Sequence, residues 1–312
     1  MGFNILVTGG AGYLGSIMVP DLLAAGHKVT VLDDFMYQQA SLNHVCNNPD
    51  FSVVKGDIRI ENIVTPLLKK ADIVIPLAAY VGAPLCNQDP VGAQTINHDA
   101  IIMMLRHLSK DQIVLMPTTN SAYGSGDENN FCTEESPLKP MSKYAIDKVE
   151  VEKELMQHAN AISFRLATVF GMSPRMRIDL LVNDFTYRAV YDRFIVLFES
   201  HFKRNYIHVR DVSRAFQHGI ANIGTMKGQI YNVGLSEANV SKWELCEHIK
   251  KQIPGFVFVE AAVGKDPDQR NYIVSNAKLE ATGYKTSVNL AQGIAELVKG
   301  FTMIKNSRYG NV

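Results

Sequence analysis

The chain has little net charge, few cysteines and no long apolar run. Its 31 basic and 31 acidic residues balance, so its charge favours neither a nucleic-acid partner nor an acidic membrane. No apolar stretch is long enough to span a bilayer and no leader pattern precedes the first strand-like segment, which favours a cytoplasmic protein. The cysteines form no C-x-x-C pair, so neither a disulfide framework nor a metal site is indicated: Cys46, Cys86, Cys132 and Cys246.

What the sequence does contain is a regular alternation of strand and helix patterns. Short apolar segments typical of strands occupy residues 5–7, 28–32, 51–55, 73–76, 113–116 and 161–165. Helical patterns lie near 15–25, 60–70, 92–108 and 144–158. The alternation predicts βαβ units, and therefore an α/β fold with a Rossmann-type, doubly wound parallel sheet.

The pattern loosens after about residue 170. We predict a nucleotide-binding domain over residues 1–170, to which some later segments return, and a smaller α/β C-terminal substrate lobe mainly over 171–312. Such a lobe would cover the carboxyl ends of the strands, where open α/β sheets bind ligands.

A glycine-rich turn follows the first strand without a spacer. Gly10-x-Gly12-x-x-Gly15 matches the dinucleotide fingerprint, and Asp33 ends the next apolar segment. The glycines alone would also fit a turn without a ligand. Asp33 can accept hydrogen bonds from both hydroxyls of an adenosine ribose and would repel a 2′-phosphate, and no arginine follows within residues 34–45. The pattern therefore predicts NAD in preference to NADP.

A second group of residues is typical of proton transfer. Tyr144 and Lys148 lie four residues apart on one face of a predicted helix, where an ammonium is expected to lower the pKa of the phenol. Upstream, hydroxyls cluster at residues 118–121, at the predicted carboxyl end of a strand. An ordinary surface pair and a polar turn that satisfies its own backbone are the alternatives.

With these motifs, the chain resembles the extended short-chain dehydrogenase/reductases of the nucleotide-sugar epimerase/dehydratase group along nearly its whole length. The motifs are Thr8-Gly9-x-x-Gly12-x-x-Gly15, Gly56-Asp57-Ile58, Leu77-Ala78-Ala79, Asn97, Thr119 ahead of Tyr123-Gly124, Ser142-Lys143-Tyr144-x-x-x-Lys148, Phe164-Arg165-Leu166, Val169-Phe170-Gly171, Arg204-Asn205-Tyr206-Ile207-His208-Val209-x-Asp211-Val212 and Tyr231-Asn232-Val233-Gly234.

The resemblance implies a tightly bound NAD, a nucleotide-diphosphate-sugar substrate and no metal. Tyr144 would exchange a proton with the oxidised sugar hydroxyl, usually at C4, while Lys148 would hold the nicotinamide ribose and Thr119 would bind the same sugar oxygen. Cofactor contacts are expected from Gly9, Gly12, Tyr13, Leu14, Gly15, Asp33, Asp34, Asp57, Ile58, Leu77, Ala78, Ala79, Asn97, Thr118, Tyr144 and Lys148. Substrate contacts are expected from Val81, Asn120, Ser121, Thr168, Arg175, Asn183, Arg204 and Arg270.

The chain also departs from this group. Dehydratases usually carry Asp-Glu after the catalytic Thr, whereas Asn120 and Ser121 stand here and do not titrate at a useful pH, which argues against a 4,6-dehydratase. Pro76 and Thr168 replace a His and an Asn found in many relatives.

A finer resemblance concerns residues 175–177 and 179–183, which are similar to bacterial GDP-heptose-modifying enzymes of capsule biosynthesis. The favoured hypothesis is therefore a GDP-heptose 4-dehydrogenase in capsular polysaccharide sugar biosynthesis, which would need an external hydride acceptor. A nucleotide-sugar 4-epimerase with a transient 4-keto intermediate, a 4-keto reductase and a catalytically idle NAD-binding sensor are the alternatives.

The resemblance also implies a homodimer or higher homo-oligomer, formed by the Tyr-x-x-x-Lys helix and the helix before it. The earlier helix carries apolar residues that would either form this interface or face the protein's own sheet: Ile101, Ile102, Met104 and Leu105.

Overall fold

The computed structural model describes residues 2–38, 40–125, 131–262, 264 and 270–304. The strands are β1 (Asn4–Thr8), β2 (Lys28–Asp33), β3 (Phe51–Lys55), β4 (Ile73–Pro76), β5 (Ile113–Thr119), β6 (Ala161–Leu166), β7 (Thr168–Phe170), β8 (Phe194–Leu197), β9 (Lys203–His208), β10 (Gln229–Val233), β11 (Asn239–Ser241) and β12 (Val257–Glu260). The α-helices are α1 (Gly15–Ala24), α2 (Glu61–Leu68), α3 (Ala83–Gln88), α4 (Pro90–Gln94), α5 (Ala100–His107), α6 (Lys143–Leu155), α7 (Leu181–Tyr191), α8 (Val209–Ala221), α9 (Ile223–Met226), α10 (Lys242–Gln252), α11 (Ala277–Glu280) and α12 (Leu290–Phe301).

Seven parallel strands form the main sheet, in the order β10-β6-β5-β4-β1-β2-β3. Alternate residues of each strand face opposite sides, as β1 illustrates: Ile5 and Val7 join one apolar core, and Leu6 joins the other. Helices α1 and α8 cover the first side, and α2, α5 and α6 cover the second. The expected doubly wound Rossmann-type sheet is confirmed.

The predicted strands and helices of the first half are present, with one difference. The helical pattern at 92–108 is divided into α4, a π-helical turn at Thr95–Asp99 and α5. Within that turn the Asn97 amide bonds both the N–H and the carbonyl of Tyr80, at 2.8 and 2.9 Å. The wider turn therefore coincides with an attachment to the segment after β4.

The later part of the chain forms two small sheets around its own apolar core. Strands β11, β9 and β7 make one sheet, and β12 and β8 make the other. Helices α7, α10 and α12 pack on this core. Strand β10 returns to the main sheet, but the division at residue 170 itself stays a prediction.

The surfaces of α5 and α6 bear on the predicted oligomer. Ile101 and Met104 are buried against the protein's own sheet, and Ile102 and Leu105 pack partly against the same core. Ile146 of α6 is exposed. Oligomerisation through these helices stays a prediction. Within the described ranges, no helix is both long enough and apolar enough to cross a bilayer.

Candidate active site

A cavity of about 790 Å³ opens where the parallel strands end. One side, which we call the turn wall, consists of residues 9, 11–15, 32–38, 56–58 and 77–82, all in or directly after β1 to β4. The opposite side, the lobe wall, consists of residues 166–169, 204, 242, 270 and 272. Thr119, Tyr144 and Lys148 also line the cavity. The topology therefore brings the predicted nucleotide turn and the predicted catalytic residues to one place.

The glycines of the turn wall are explained by close backbone approach. Gly9 has φ +66°, and a Cβ there would lie 2.5 Å from the backbone nitrogen of Ala78. A Cβ on Gly15 would lie 2.4 Å from the Gly10 carbonyl oxygen. Helix α1 begins at Gly15, so the positive end of its dipole faces the turn and suits the diphosphate of a dinucleotide.

Asp33 joins this turn to the end of β2. Its Oδ2 accepts a hydrogen bond from the Ala11 N–H at 2.9 Å, and its Oδ1 accepts one from the Phe35 N–H at 2.8 Å. Burial raises the pKa of this carboxyl, and the two N–H donors oppose that effect. A carboxylate oriented in this way retains lone pairs for ribose hydroxyls, which fits NAD.

The catalytic candidates are held by a well-capped helix. The Ser142 side chain accepts a hydrogen bond from the Ala145 N–H and caps α6. Tyr144 and Lys148 follow one turn apart, with the Lys148 Nζ 6.0 Å from the centre of the Tyr144 ring. Thr119 stands at the end of β5, and its hydroxyl accepts a hydrogen bond from the Ser121 N–H at 3.1 Å.

The expected lowering of the Tyr144 pKa is wrong for this structure. Burial raises the pKa of Tyr144 to about 12 and lowers the pKa of Lys148 to about 8. Both shifts have the same cause, because a low-dielectric site disfavours the phenolate and the ammonium alike. Here desolvation is the largest influence on both pKa values, and the cations that oppose the rise of the Tyr144 pKa are Arg177 and Arg270.

A buried carboxylate stabilises the packing of α6 on β5 and β6. Glu152 lies one turn after Lys148 and accepts hydrogen bonds from the Thr118 and Ser163 hydroxyls at 3.0 and 2.6 Å. The Arg165 guanidinium pairs with it at 2.6 Å. Thr118 lines the cavity, but its hydroxyl is engaged in this network, which fixes α6 against β5 and β6.

The lobe wall collects positive charge. Arg204 is buried, with its guanidinium carbon 5.9 Å from the centre of the Tyr272 ring. Arg270 donates a hydrogen bond to the Ser121 hydroxyl, close to Thr119. Lys242 is also buried, and its Nζ donates to the Phe198 carbonyl at 2.5 Å. This wall suits an anionic group such as a sugar-nucleotide diphosphate.

Most of the predicted site residues lie on this cavity. They are Gly9, Gly12, Tyr13, Leu14, Gly15, Asp33, Asp34, Asp57, Ile58, Leu77, Ala78, Ala79, Val81, Thr118, Thr119, Ser121, Tyr144, Lys148, Thr168, Arg175, Arg204 and Arg270. The Asp57 carboxylate is engaged by Arg59, whose hydrogen bonds lower its pKa.

Three predicted asparagines do not line the cavity. Asn97 holds Tyr80, as described above. Asn183 accepts from the Gly171 N–H at 3.0 Å and donates to the Arg177 carbonyl at 2.8 Å, so it shapes the lobe from inside. Asn120 is fully buried, and its side-chain amide has no hydrogen-bond partner among the described residues. Their ligand contacts therefore stay predictions, and the structure shows these side chains buried behind the cavity lining.

The cavity also contains residues that the sequence did not single out, among them Tyr37 and Lys242. Tyr37 lies in the segment after β2 and belongs to no motif. Lys242 follows Ser241, which forms a capping box with Glu244. The local sequence therefore indicates only the beginning of a helix and gives no sign of a binding residue. Within the described ranges, no group of three or more His, Cys, Asp or Glu side chains is placed to hold a metal ion.

Curated relatives match nearly the whole length of the chain. A UDP-glucose 4-epimerase of Mycolicibacterium smegmatis is 30% identical over 311 residues, which cover 95% of this chain and 97% of that protein. The low-salt glycan biosynthesis protein Agl12 of Haloferax volcanii is 26% identical over 310 residues, with 95% and 97% covered.

Solved structures give the same fold. The dTDP-glucose 4,6-dehydratase DesIV of Streptomyces venezuelae, with NAD and TYD bound, has a TM-score of 0.83 and 25% identity over 96% of this chain and 97% of that one. The UDP-glucose 4-epimerase of Thermus thermophilus, in complex with NAD, has a TM-score of 0.82 and 24% identity over 96% and 99%.

The sequence profile of one family matches residues 5–234 and includes the turn, Asp33, Thr119, Tyr144 and Lys148. Both the expected nucleotide-sugar enzyme group and the expected NAD cofactor are thereby confirmed. The chain belongs to the NAD dependent epimerase/dehydratase family.

Proposed function

We propose that this protein transfers a hydride between NAD and the C4 position of a nucleotide-diphosphate sugar. The observation that carries the proposal is the position of Thr119, Tyr144 and Lys148 on a single cavity between the turn wall and the cationic lobe wall. The turn wall suits the NAD diphosphate and ribose, and the lobe wall suits the sugar-nucleotide diphosphate.

Each catalytic side chain has a distinct task. NAD, when bound, supplies the hydride acceptor. Tyr144 exchanges a proton with the C4 hydroxyl, and Thr119 donates a hydrogen bond to the same oxygen. Lys148 stabilises the phenolate form of Tyr144 and binds a ribose hydroxyl. With a pKa of about 8, Lys148 is mostly charged at neutral pH. Tyr144, with a pKa of about 12, carries its proton there, so it can donate that proton to a 4-keto oxygen. In the oxidative direction it must first release the proton to solvent before it accepts the one from the C4 hydroxyl.

Dehydration is disfavoured by the residues after Thr119. Elimination of water needs an acid and a base, but Asn120 is a buried amide and the Ser121 hydroxyl is engaged by Arg270. The first product is therefore a 4-keto sugar that keeps its C5 and C6 substituents.

Of the net reactions left open, two have a specific observation in their favour, and a 4-keto reductase would run the first of them in reverse. Oxidation of GDP-heptose is favoured by the likeness of residues 175–177 and 179–183 to GDP-heptose-modifying enzymes, and Arg177 and Asp179 of these segments line the cavity. It would supply a 4-keto heptose for capsule sugars and need an external hydride acceptor. Epimerisation at C4 is supported by the 30% identity to a UDP-glucose 4-epimerase.

One experiment separates these reactions. The purified protein is analysed for bound NAD(H), then incubated with GDP-heptose, UDP-glucose and dTDP-glucose, with and without phenazine methosulfate as hydride acceptor. Turnover that needs the acceptor indicates a dehydrogenase, and isomer formation without it indicates an epimerase. The proposal would be contradicted if no sugar nucleotide reduced the bound NAD or formed an isomer, and the Tyr144→Phe protein behaved in the same way.

A further inference from the structure

Two distant segments of the chain meet at the mouth of the cavity. Residues 34–38 follow β2, and residues 171–177 follow β7. At their meeting point the Arg175 guanidinium carbon lies 3.8 Å from the centre of the Tyr37 ring. Arg175 is 2% exposed and Tyr37 is half-buried, so this cation–π contact is largely shielded from water.

The first segment holds Tyr37 in a constrained turn. Asp33 fixes its start by accepting from the Phe35 N–H, and the Gln38 N–H donates to the Phe35 carbonyl at 2.9 Å. Phe35 and Gln38 have φ of 57° and 52°, a region that side chains other than glycine adopt at a cost. Contacts from the surrounding structure must offset this strain, and the same contacts hold Tyr37 in its position.

The second segment fixes Arg175 against the start of α1. The Ser173 hydroxyl donates to the Tyr13 carbonyl at 2.7 Å, and the Ser16 hydroxyl lies 2.8 Å from that of Ser173. The Arg175 N–H donates to Ser16 at 3.3 Å. Arg175 therefore stands beside the helix end that suits a diphosphate.

The charge of Arg175 also affects the pKa of Asp33, the residue that suits the adenosine ribose. Burial is the main influence on the pKa of Asp33 and raises it, and the Arg175 guanidinium is among the groups that oppose this rise. The guanidinium thus stacks on the Tyr37 ring, donates to the Met176 carbonyl at 2.9 Å and acts on Asp33 through its charge. Asp33 is the turn-wall residue that suits the adenosine ribose of NAD.

We propose that Tyr37 and Arg175 form a clasp over NAD that sets how slowly the cofactor leaves. The inference rests on the proposed function, because it takes NAD as the resident cofactor. It moves Arg175 from the substrate contacts to the cofactor side, and it adds Tyr37 as a residue that positions Arg175. Release of the cofactor requires the clasp to open. Opening breaks the contact between Tyr37 and Arg175 and separates the two segments that carry them.

The test measures release and needs no turnover. Protein loaded with NADH is mixed with excess NAD⁺, and the loss of bound-NADH fluorescence gives the release rate. Tyr37→Leu removes the ring and should release NADH about tenfold faster, the value expected for a shielded cation–π pair. Tyr37→Phe keeps the ring and should release NADH within about twofold of the wild-type rate.

Arg175→Gln supplies the second arm. It should also accelerate release, and Tyr37→Leu combined with Arg175→Gln should be no faster than Arg175→Gln alone, because each change breaks the same contact. Equal rates for Tyr37→Leu and Tyr37→Phe, or multiplied effects in the double variant, would overturn the clasp. If the wild-type protein binds no NADH, the proposed function fails instead, so the two failures are distinguishable.

Discussion

The turn wall and the lobe wall of the cavity are assembled in different ways. The turn wall uses short segments, each placed directly after one parallel strand, so Gly9, Asp33 and Leu77 reach it through the sheet alone. The lobe wall gathers Thr168, Arg204, Lys242 and Arg270 from separate places in the later half of the chain. The first arrangement suits a ligand common to a family, and the second suits a ligand that differs between members.

Tyr144 lines the same cavity as both walls and is the proposed proton-exchanging group, so its loss should have the largest effect. Tyr144→Phe removes the proton-exchanging hydroxyl and should lower kcat by about 10²- to 10⁴-fold. NAD binding should persist, because the turn wall is unchanged. Steady-state kinetics and NAD titration check both parts, and a variant with wild-type kcat would remove Tyr144 from the catalytic role.

Arg204 tests the lobe wall by itself. Arg204→Gln removes a buried cation and should raise KM for the nucleotide sugar by about 10- to 100-fold, since a charge-assisted contact to phosphate is lost. The dissociation constant for NAD should not change. An equal loss of NAD affinity would show that the two walls are not independent.

Asp33 tests the turn wall in the same manner. Asp33→Ala should weaken NAD binding by about tenfold or more, because ribose hydroxyls and the Ala11 N–H both lose an acceptor. KM for the sugar nucleotide at saturating NAD should stay near its wild-type value. Asp111→Ala, at an exposed position, is the matched control, and NAD affinity equal to that of this control would withdraw the assignment.

The sequence predicts the turn wall better than the lobe wall, because the residues of the turn wall belong to short local patterns and those of the lobe wall come from separate segments. Glycines that must admit close backbone approach, and a Tyr and Lys one helical turn apart, are local patterns that one segment reveals. The Tyr37–Arg175 contact joins residues 138 positions apart, and Lys242 carries no local signal. The direction of the Tyr144 pKa shift depends on burial, which the spacing of residues does not indicate.

Burial also limits what the sequence can predict about the contacts of Asn97, Asn120 and Asn183. Each stands at a position where the resemblance implies a ligand contact, and each is almost fully buried outside the cavity lining. A motif identifies the residue, whereas only the packed structure shows which of its neighbours the amide bonds.

The last expected effect is on stability and concerns the cost of burying the charge of Lys148. Burial lowers its pKa from 10.5 to about 8, so between these values the unfolded chain binds more protons than the folded one and stability rises with pH. At pH 7 the charged form costs about 3 kcal/mol. Lys148→Met should therefore raise Tm at pH 7 by a few °C while turnover falls, and its Tm advantage should shrink between pH 8 and pH 10.

Lys143 provides the contrast on the same helix. Its Nζ pairs with Asp147, which is fully buried, so Lys143→Met leaves an unpaired carboxylate and should lower Tm. Scanning calorimetry of the two variants at pH 7 compares the signs directly. A lower Tm for Lys148→Met would mean that the Lys148 ammonium stabilises the fold. The expected conflict at this residue between stability and catalysis in the cavity would then be absent.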